Sequence, residues 1–167
     1  MRDRWKRVWY NGMFKNLGVD KVGKKINIRG KGQRAERESI KILKPIVDKI
    51  YSEFDPEPPL LERNQQQSNQ GGYDIIGLDW LALEVKHQET FNLNGWWKQT
   101  WRQAQAGQYP VLMYKRNYVK FRVRMVGLLA CHNNTRATKA LVDISLDDFL
   151  VWFECELRER VSELKPF

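Results

Sequence analysis

The chain has 167 residues, 42% of them hydrophobic and 12% aromatic, which suits one domain with a single packed core. The apolar runs are far shorter than a membrane span, and the basic start leads into no apolar segment of the secretory type. Two cysteines without Cys-x-x-Cys spacing argue against a zinc site and against a disulfide framework. We therefore expect a cytoplasmic protein with reduced thiols and no membrane partner.

The net charge of +9 lies at the N-terminal end of the chain. Residues 1–34 hold 11 Lys and Arg against 2 Asp and Glu, whereas residues 35–167 hold 18 of each kind and are neutral. Such a segment suits a polyanion, most simply a nucleic-acid backbone, although a solvated leader has the same composition. We predict a basic arm over residues 1–32 and one folded domain over residues 33–167.

The predicted elements follow in chain order. Apolar spacing predicts a helix over residues 33–54 that kinks or restarts at Pro45. A short strand over 60–63, a polar loop over 64–72 and a hairpin of strands 73–77 and 81–86 come next. Then follow a helix from Asn94 to Gly107, strands over 111–114 and 118–126, and a last helix after a Ser145-x-x-Asp148 capping box. This order predicts an α/β fold with a central mixed sheet flanked by helices.

The predicted hairpin carries the side chains that could take part in catalysis. Glu84 and Lys86 are two apart on one strand and so share a face, and Asp74 on the partner strand is placed to lie opposite them. Two carboxylates at close range stay ionised together only around a cation. Hard oxygen ligands select Mg²⁺ or Mn²⁺ over softer metals.

Glu36 supplies a third carboxylate. It shares the core-facing stripe of its helix with Ile40 and Leu43, where an acid is unfavourable unless it is paired or bound to metal. We therefore expect Glu36, Asp74 and Glu84 to hold one or two metal ions that activate a water for phosphodiester hydrolysis, with Lys86 as a catalytic neighbour. Taken singly, a Glu-x-Lys on a strand is usually a surface pair, and Asp74 fits a turn.

The combined pattern, Gly71-Gly-Tyr-Asp74 followed by Glu84-Val-Lys86, resembles the PD-(D/E)XK nuclease superfamily. Residues 31–38 (Lys-Gly-Gln-Arg-Ala-Glu-Arg-Glu) are similar to the first helix of archaeal-type Holliday-junction resolvases, and residues 96–104 to resolvase-like proteins of bacteriophages. The resemblance spans residues 30–126. It implies a restriction-endonuclease-like core, metal ligation by Glu36, Asp74 and Glu84, cleavage of four-way DNA junctions, and action as a homodimer.

The helix after Lys86 carries further candidates. In related nucleases a polar residue of this helix faces the site, so the resemblance makes Gln103 or Gln99 a catalytic candidate, with a solvated amide as the alternative. Trp97, Trp101 and Ala104 are predicted to pack on the sheet. A dimer would need an apolar patch, which we expect from Phe91, Trp96 or the helix with Trp152 and Phe153.

DNA contacts are predicted at six basic residues: Lys31, Arg34, Arg37, Lys120, Arg122 and Arg124. For the last three, a solvated strand face is an equal alternative. His87 points away from Lys86 and is predicted to be structural. The partner is then branched or duplex DNA. A sequence-specific nuclease of the same fold (homing, restriction or repair nicking) and a non-catalytic DNA-binding protein remain as alternatives.

Overall fold

The computed structural model describes residues 28–54, 56–65, 72–130 and 136–164. Most of the predicted basic arm and most of the predicted polar loop over residues 64–72 therefore lie outside the described residues. The elements are α1 (Ile28–Phe54), β1 (Glu62–Arg63), β2 (Ile75–Ile76), β3 (Leu81–His87), α2 (Leu93–Gln103), β4 (Tyr109–Lys115), β5 (Arg122–Ala130), β6 (Ala137–Ser145) and α3 (Leu146–Glu163).

The six strands form one sheet in the order β1-β2-β3-β4-β5-β6. Every neighbouring pair is antiparallel except β3 and β4, which run parallel. A parallel pair needs a crossover, and α2 supplies it. Val111 and Met113 of β4 join the core beneath α1 and α3, while Leu112 and Tyr114 pack with α2 on the other face. The prediction of an α/β fold with a central mixed sheet is confirmed.

Helix α1 begins at Ile28, five residues before the predicted start, and so extends into the predicted arm. It also continues past Pro45, where the sequence predicts a kink or a restart. Pro45 lies on the exposed side, so the helix loses one hydrogen bond there while its packing continues. Leu43, Val47 and Ile50, at helical spacing, are completely buried and hold the helix on the sheet.

Other element boundaries also differ from the prediction. The N-cap of α2 is Asn92 instead of Asn94, because its side chain accepts a hydrogen bond from the Gly95 N–H at 3.2 Å. Strand β5 begins at Arg122, and β6 has no predicted counterpart. The Ser145 cap is confirmed, since its Oγ accepts from the Asp148 N–H at 3.0 Å. Within the described ranges, no helix is both long and apolar enough to cross a bilayer.

Gly77 sets the geometry of the hairpin that carries the acids. Its φ of +112° lies in a region that side chains rarely adopt, and an added Cβ would collide with the carbonyl oxygen of Leu60. We expect Gly77→Ala to lower the free energy of unfolding by about 2–4 kcal/mol, from strain and backbone displacement together. Gly107→Ala is the matched control, because its φ is +86° but its Cβ would meet nothing within 4 Å. Urea unfolding of both variants tests this, and equal losses would contradict it.

Candidate active site

A cleft of about 440 Å³ opens at the side of the sheet formed by β1, β2 and β3, against the first half of α1. Three of the predicted site residues line it together: Glu36 from α1, Asp74 from the start of the hairpin, and Lys86 from β3. The fourth, Glu84, lies two residues before Lys86 on β3 and is completely buried. The structure thus brings residues that are distant in sequence to one place.

Asp74 is fixed by the hairpin itself. Its backbone N–H donates to the Leu83 carbonyl at 2.9 Å, and its Oδ2 accepts from the Val85 N–H at 2.6 Å. The side chain is only 5% exposed. These bonds place the Asp74 carboxylate beside the strand that carries Glu84, as the sequence pattern predicts.

Glu84 is a buried carboxylate with one oxygen satisfied and one not. Its Oε1 accepts from Lys86 Nζ at 2.5 Å and from Gln99 Nε2 at 2.9 Å. Its Oε2 is buried and has no hydrogen-bond partner among the described residues. Burial raises the pKa of Glu84 to about 7, the negative charges of Asp74 and Glu36 add to the rise, and Lys86 opposes it. The positive charge of Lys86 therefore compensates only in part for the burial of Glu84 and for the neighbouring acids.

Glu36 faces the cleft from α1 and is paired with Arg63. The Arg63 Nε donates to Glu36 Oε2 at 2.5 Å, and both side chains are less than a fifth exposed. This ion pair allows an acid to remain at a half-buried position. Arg63 is not among the predicted site residues, because a single basic residue on a two-residue strand follows no recognisable pattern.

The donor set fits a hard divalent cation, although the three acids do not form a preassembled cage. Within the described ranges, no three His, Cys, Asp or Glu side chains stand close enough to make a metal site. Arg63 engages Glu36 instead, while Lys86 and Gln99 engage Glu84. The unpartnered Glu84 oxygen, close enough to Asp74 for mutual repulsion, is the feature that a cation would satisfy. Ligation by Glu36, Asp74 and Glu84 stays a prediction.

Helix α2 presents Gln99 to the site. Gln99 donates to Glu84, whereas Gln103, one turn later, has a buried Oε1 without a hydrogen-bond partner among the described residues. Of the two predicted glutamines, Gln99 is thus the one that contacts an acid of the site. A catalytic role for Gln103 stays a prediction.

The predicted packing of the tryptophans on the sheet is correct in part for Trp97, which is half-buried against the cluster of Trp96, Leu112 and Tyr114, and wrong for Trp101. The buried residues of the helix are Trp96 and Thr100, while Trp101 is 57% exposed. Trp96 packs edge-on against Phe91, with ring centroids 5.8 Å apart, so neither supplies a free apolar patch for dimerisation. The other expected patch is also interior, since Phe153 is completely buried and Trp152 packs on Trp80 and Tyr109. A homodimer stays a prediction without an assigned surface.

Two of the predicted DNA-binding residues are neutralised within the chain. Lys31 is 9% exposed and pairs with Glu89 at 2.8 Å, and Arg124 pairs with Asp143 at 2.6 Å. Their charges are engaged in internal ion pairs, so the prediction that they contact phosphate is not supported.

The other four predicted contacts are more accessible. Arg34 and Arg37 are exposed on α1, Lys120 is exposed 3.5 Å from Asp147, and Arg122 donates to the Asp143 backbone oxygen. His87, predicted to be structural, lines the cleft. Burial, together with the positive charges of Lys31 and Lys115, lowers the pKa of His87 and favours its neutral form.

No family model matches the chain, and no curated protein matches it. Among solved structures, the chain is similar to Hjc, a Holliday junction resolvase from the archaeal hyperthermophile Archaeoglobus fulgidus. The two share 14% sequence identity and a TM-score of 0.44, over 72% of this chain and 98% of that one. Any functional assignment therefore depends on the residues of the cleft themselves.

Proposed function

We propose that this protein is a divalent-metal-dependent endodeoxyribonuclease with a restriction-endonuclease-like core, which resolves four-way DNA junctions by phosphodiester hydrolysis. One observation carries the hydrolytic part. Asp74 and Glu84 repel each other on a single hairpin, an oxygen of Glu84 is buried without a partner among the described residues, and Lys86 stands beside them. Preference for a junction is supported by the resemblance of residues 31–38 to archaeal-type resolvases, and DNA as the substrate by the basic N-terminal segment.

The reaction adds water across one P–O bond and leaves a phosphate monoester and a hydroxyl. Asp74, Glu84 and Glu36 would hold a Mg²⁺ or Mn²⁺ ion, which would supply an acidified water and neutralise charge on the phosphate. Lys86 is placed to donate to a phosphate oxygen or to orient the water, because its Nζ lies at the edge of the cleft and is held by Glu84. Arg63 also lines the cleft, and its guanidinium has donors besides the Nε that binds Glu36. These donors suit a phosphate oxygen.

A cleavage assay tests the proposal. A synthetic four-way junction, a linear duplex with the sequence of its arms, and a splayed-arm substrate are incubated with Mg²⁺, Mn²⁺ or a chelator. We expect cuts in the junction with either metal and none with the chelator. Cuts at fixed sequences in the duplex, with the junction spared, would favour a sequence-specific nuclease instead. Binding without any cut in either metal would refute the enzyme and leave a DNA-binding protein. Light scattering of the same sample tests the expected homodimer.

A further inference from the structure

Helix α2 carries a second surface, which lies outside the acid cleft. Four residues, Trp97, Lys98, Trp101 and Arg102, line a shallow cleft of about 360 Å³, which we call the tryptophan cleft. The two indole rings lie 6.0 Å apart, centroid to centroid, and are tilted by 53°. A single exposed hydrophobic side chain needs no explanation, but adjoining indoles flanked by two cations have the composition of a binding surface.

The spacing on α2 explains how one helix serves two sites. Trp96 and Thr100 are buried against the sheet, and Gln99 reaches Glu84. Trp97 and Trp101 are four residues apart and form a row beside the buried one, in which Trp97 is half-buried and Trp101 is exposed. The exposed residues Lys98 and Arg102 form the next row around the helix. The helix contains no Asp or Glu. The tryptophan cleft is therefore aromatic and positively charged, and it lies on the same helix as Gln99, which contacts the acid site from another face.

We infer that the tryptophan cleft binds an unpaired base of the DNA substrate. The inference rests on the proposed function and deepens it. Every base offers a flat face that stacks on an indole, and Lys98 and Arg102 are suited to the phosphates that flank the base. In a duplex these faces are already stacked on neighbouring base pairs, so the cleft selects unpaired nucleotides, such as those at a branch point or a splayed end. An apolar protein surface fits less well, because it would strip water from both cations without neutralising them.

Equilibrium binding without cleavage tests the inference. Fluorescence anisotropy with a dye-labelled oligothymidine strand and a labelled duplex is measured in a chelator. We expect Trp101→Ala to weaken single-strand binding by about 5- to 150-fold, the range for loss of one stacked base, with little change for the duplex. Trp101→Phe should restore most of the affinity because it keeps an aromatic face. Val151→Ala, which removes an exposed hydrophobic side chain from α3, should bind as the wild type does.

The salt dependence separates stacking from charge. We expect Lys98→Ala to reduce the slope of log K against log salt by about 0.7 for the single strand, and Trp101→Ala to leave that slope unchanged. Wild-type affinity for the single strand in Trp101→Ala would overturn the inference. If the wild-type protein still cut junctions in that case, the proposed function would stand alone. If the wild-type protein neither bound nor cut DNA, both the inference and the proposed function would be refuted. Conversion of a dimer to a monomer by Trp101→Ala at unchanged affinity would show that the cleft joins two copies, and would also overturn the inference.

Discussion

Asp74→Asn is expected to bind a four-way junction as the wild type does and to cut it on the order of 10²–10³-fold more slowly, or not at all. The Val85 N–H donates to Asp74 Oδ2 at 2.6 Å in the wild type, and asparagine keeps an oxygen that can accept this bond. The hairpin should therefore stay intact. It loses the negative charge that a divalent cation needs. Gel-shift binding in a chelator and single-turnover cleavage in Mg²⁺ measure the two properties separately.

Asp79→Asn is the matched control for this variant. The chemical change is the same, but Asp79 is exposed in the turn between β2 and β3 and lies outside the acid cleft. We expect it to bind and cut at wild-type rates. Equal melting temperatures for the two variants would show that both remain folded. Cleavage by Asp74→Asn at the rate of Asp79→Asn would remove Asp74 from the reaction and, with it, the reason to propose a metal site at the hairpin.

The parts of the fold that local spacing determines were predictable from the sequence. Alternation along β3 separates Glu84 and Lys86 from the core residue Val85, and the hairpin brings Asp74 next to Leu83. Strand β6 was not predictable in the same way. It is an edge strand, with only half-buried residues such as Val142 facing the core, so its sequence lacks a strong alternation of apolar and polar side chains.

Contacts between distant segments account for what the sequence left open at the site. The Trp96–Thr100 row and the Trp97–Trp101 row of α2 have the same spacing, and the second row looks more apolar because Ala104 extends it. The structure buries the first row, because Phe91 and Tyr114 enclose Trp96. The Arg63–Glu36 pair likewise joins β1 to α1 across 27 residues, which no local periodicity reveals. The acids and Lys86 were therefore predictable from spacing, and Arg63, the counter-ion of Glu36, was not.

Glu84→Gln is expected to stabilise the metal-free protein, and increasingly so as the pH rises. The pKa of Glu84 is about 7 in the folded protein and 4.5 for an unperturbed glutamate, so the folded state binds the proton more tightly than the unfolded chain does. This stabilisation is fully present below about pH 4.5 and is lost as the pH rises to about 7. A shift of this size corresponds to about 3 kcal/mol. Glutamine resembles the protonated acid at every pH, so the variant should lie close to the wild type near pH 5 and exceed it by much more at pH 8.

Divalent metal should reverse that order, because a cation compensates the charge that makes ionised Glu84 unfavourable. Mg²⁺ or Mn²⁺ is thus expected to raise the wild-type melting temperature most at pH 8 and to leave that of Glu84→Gln almost unchanged. Glu62→Gln, on the exposed side of β1, controls for the general loss of one carboxylate. Thermal unfolding of the three proteins at pH 5 and pH 8, with metal and with chelator, measures both effects. If the wild type and Glu84→Gln differed equally at both pH values and responded equally to metal, Glu84 would be an ordinary buried ion-pair partner of Lys86 and not a metal ligand.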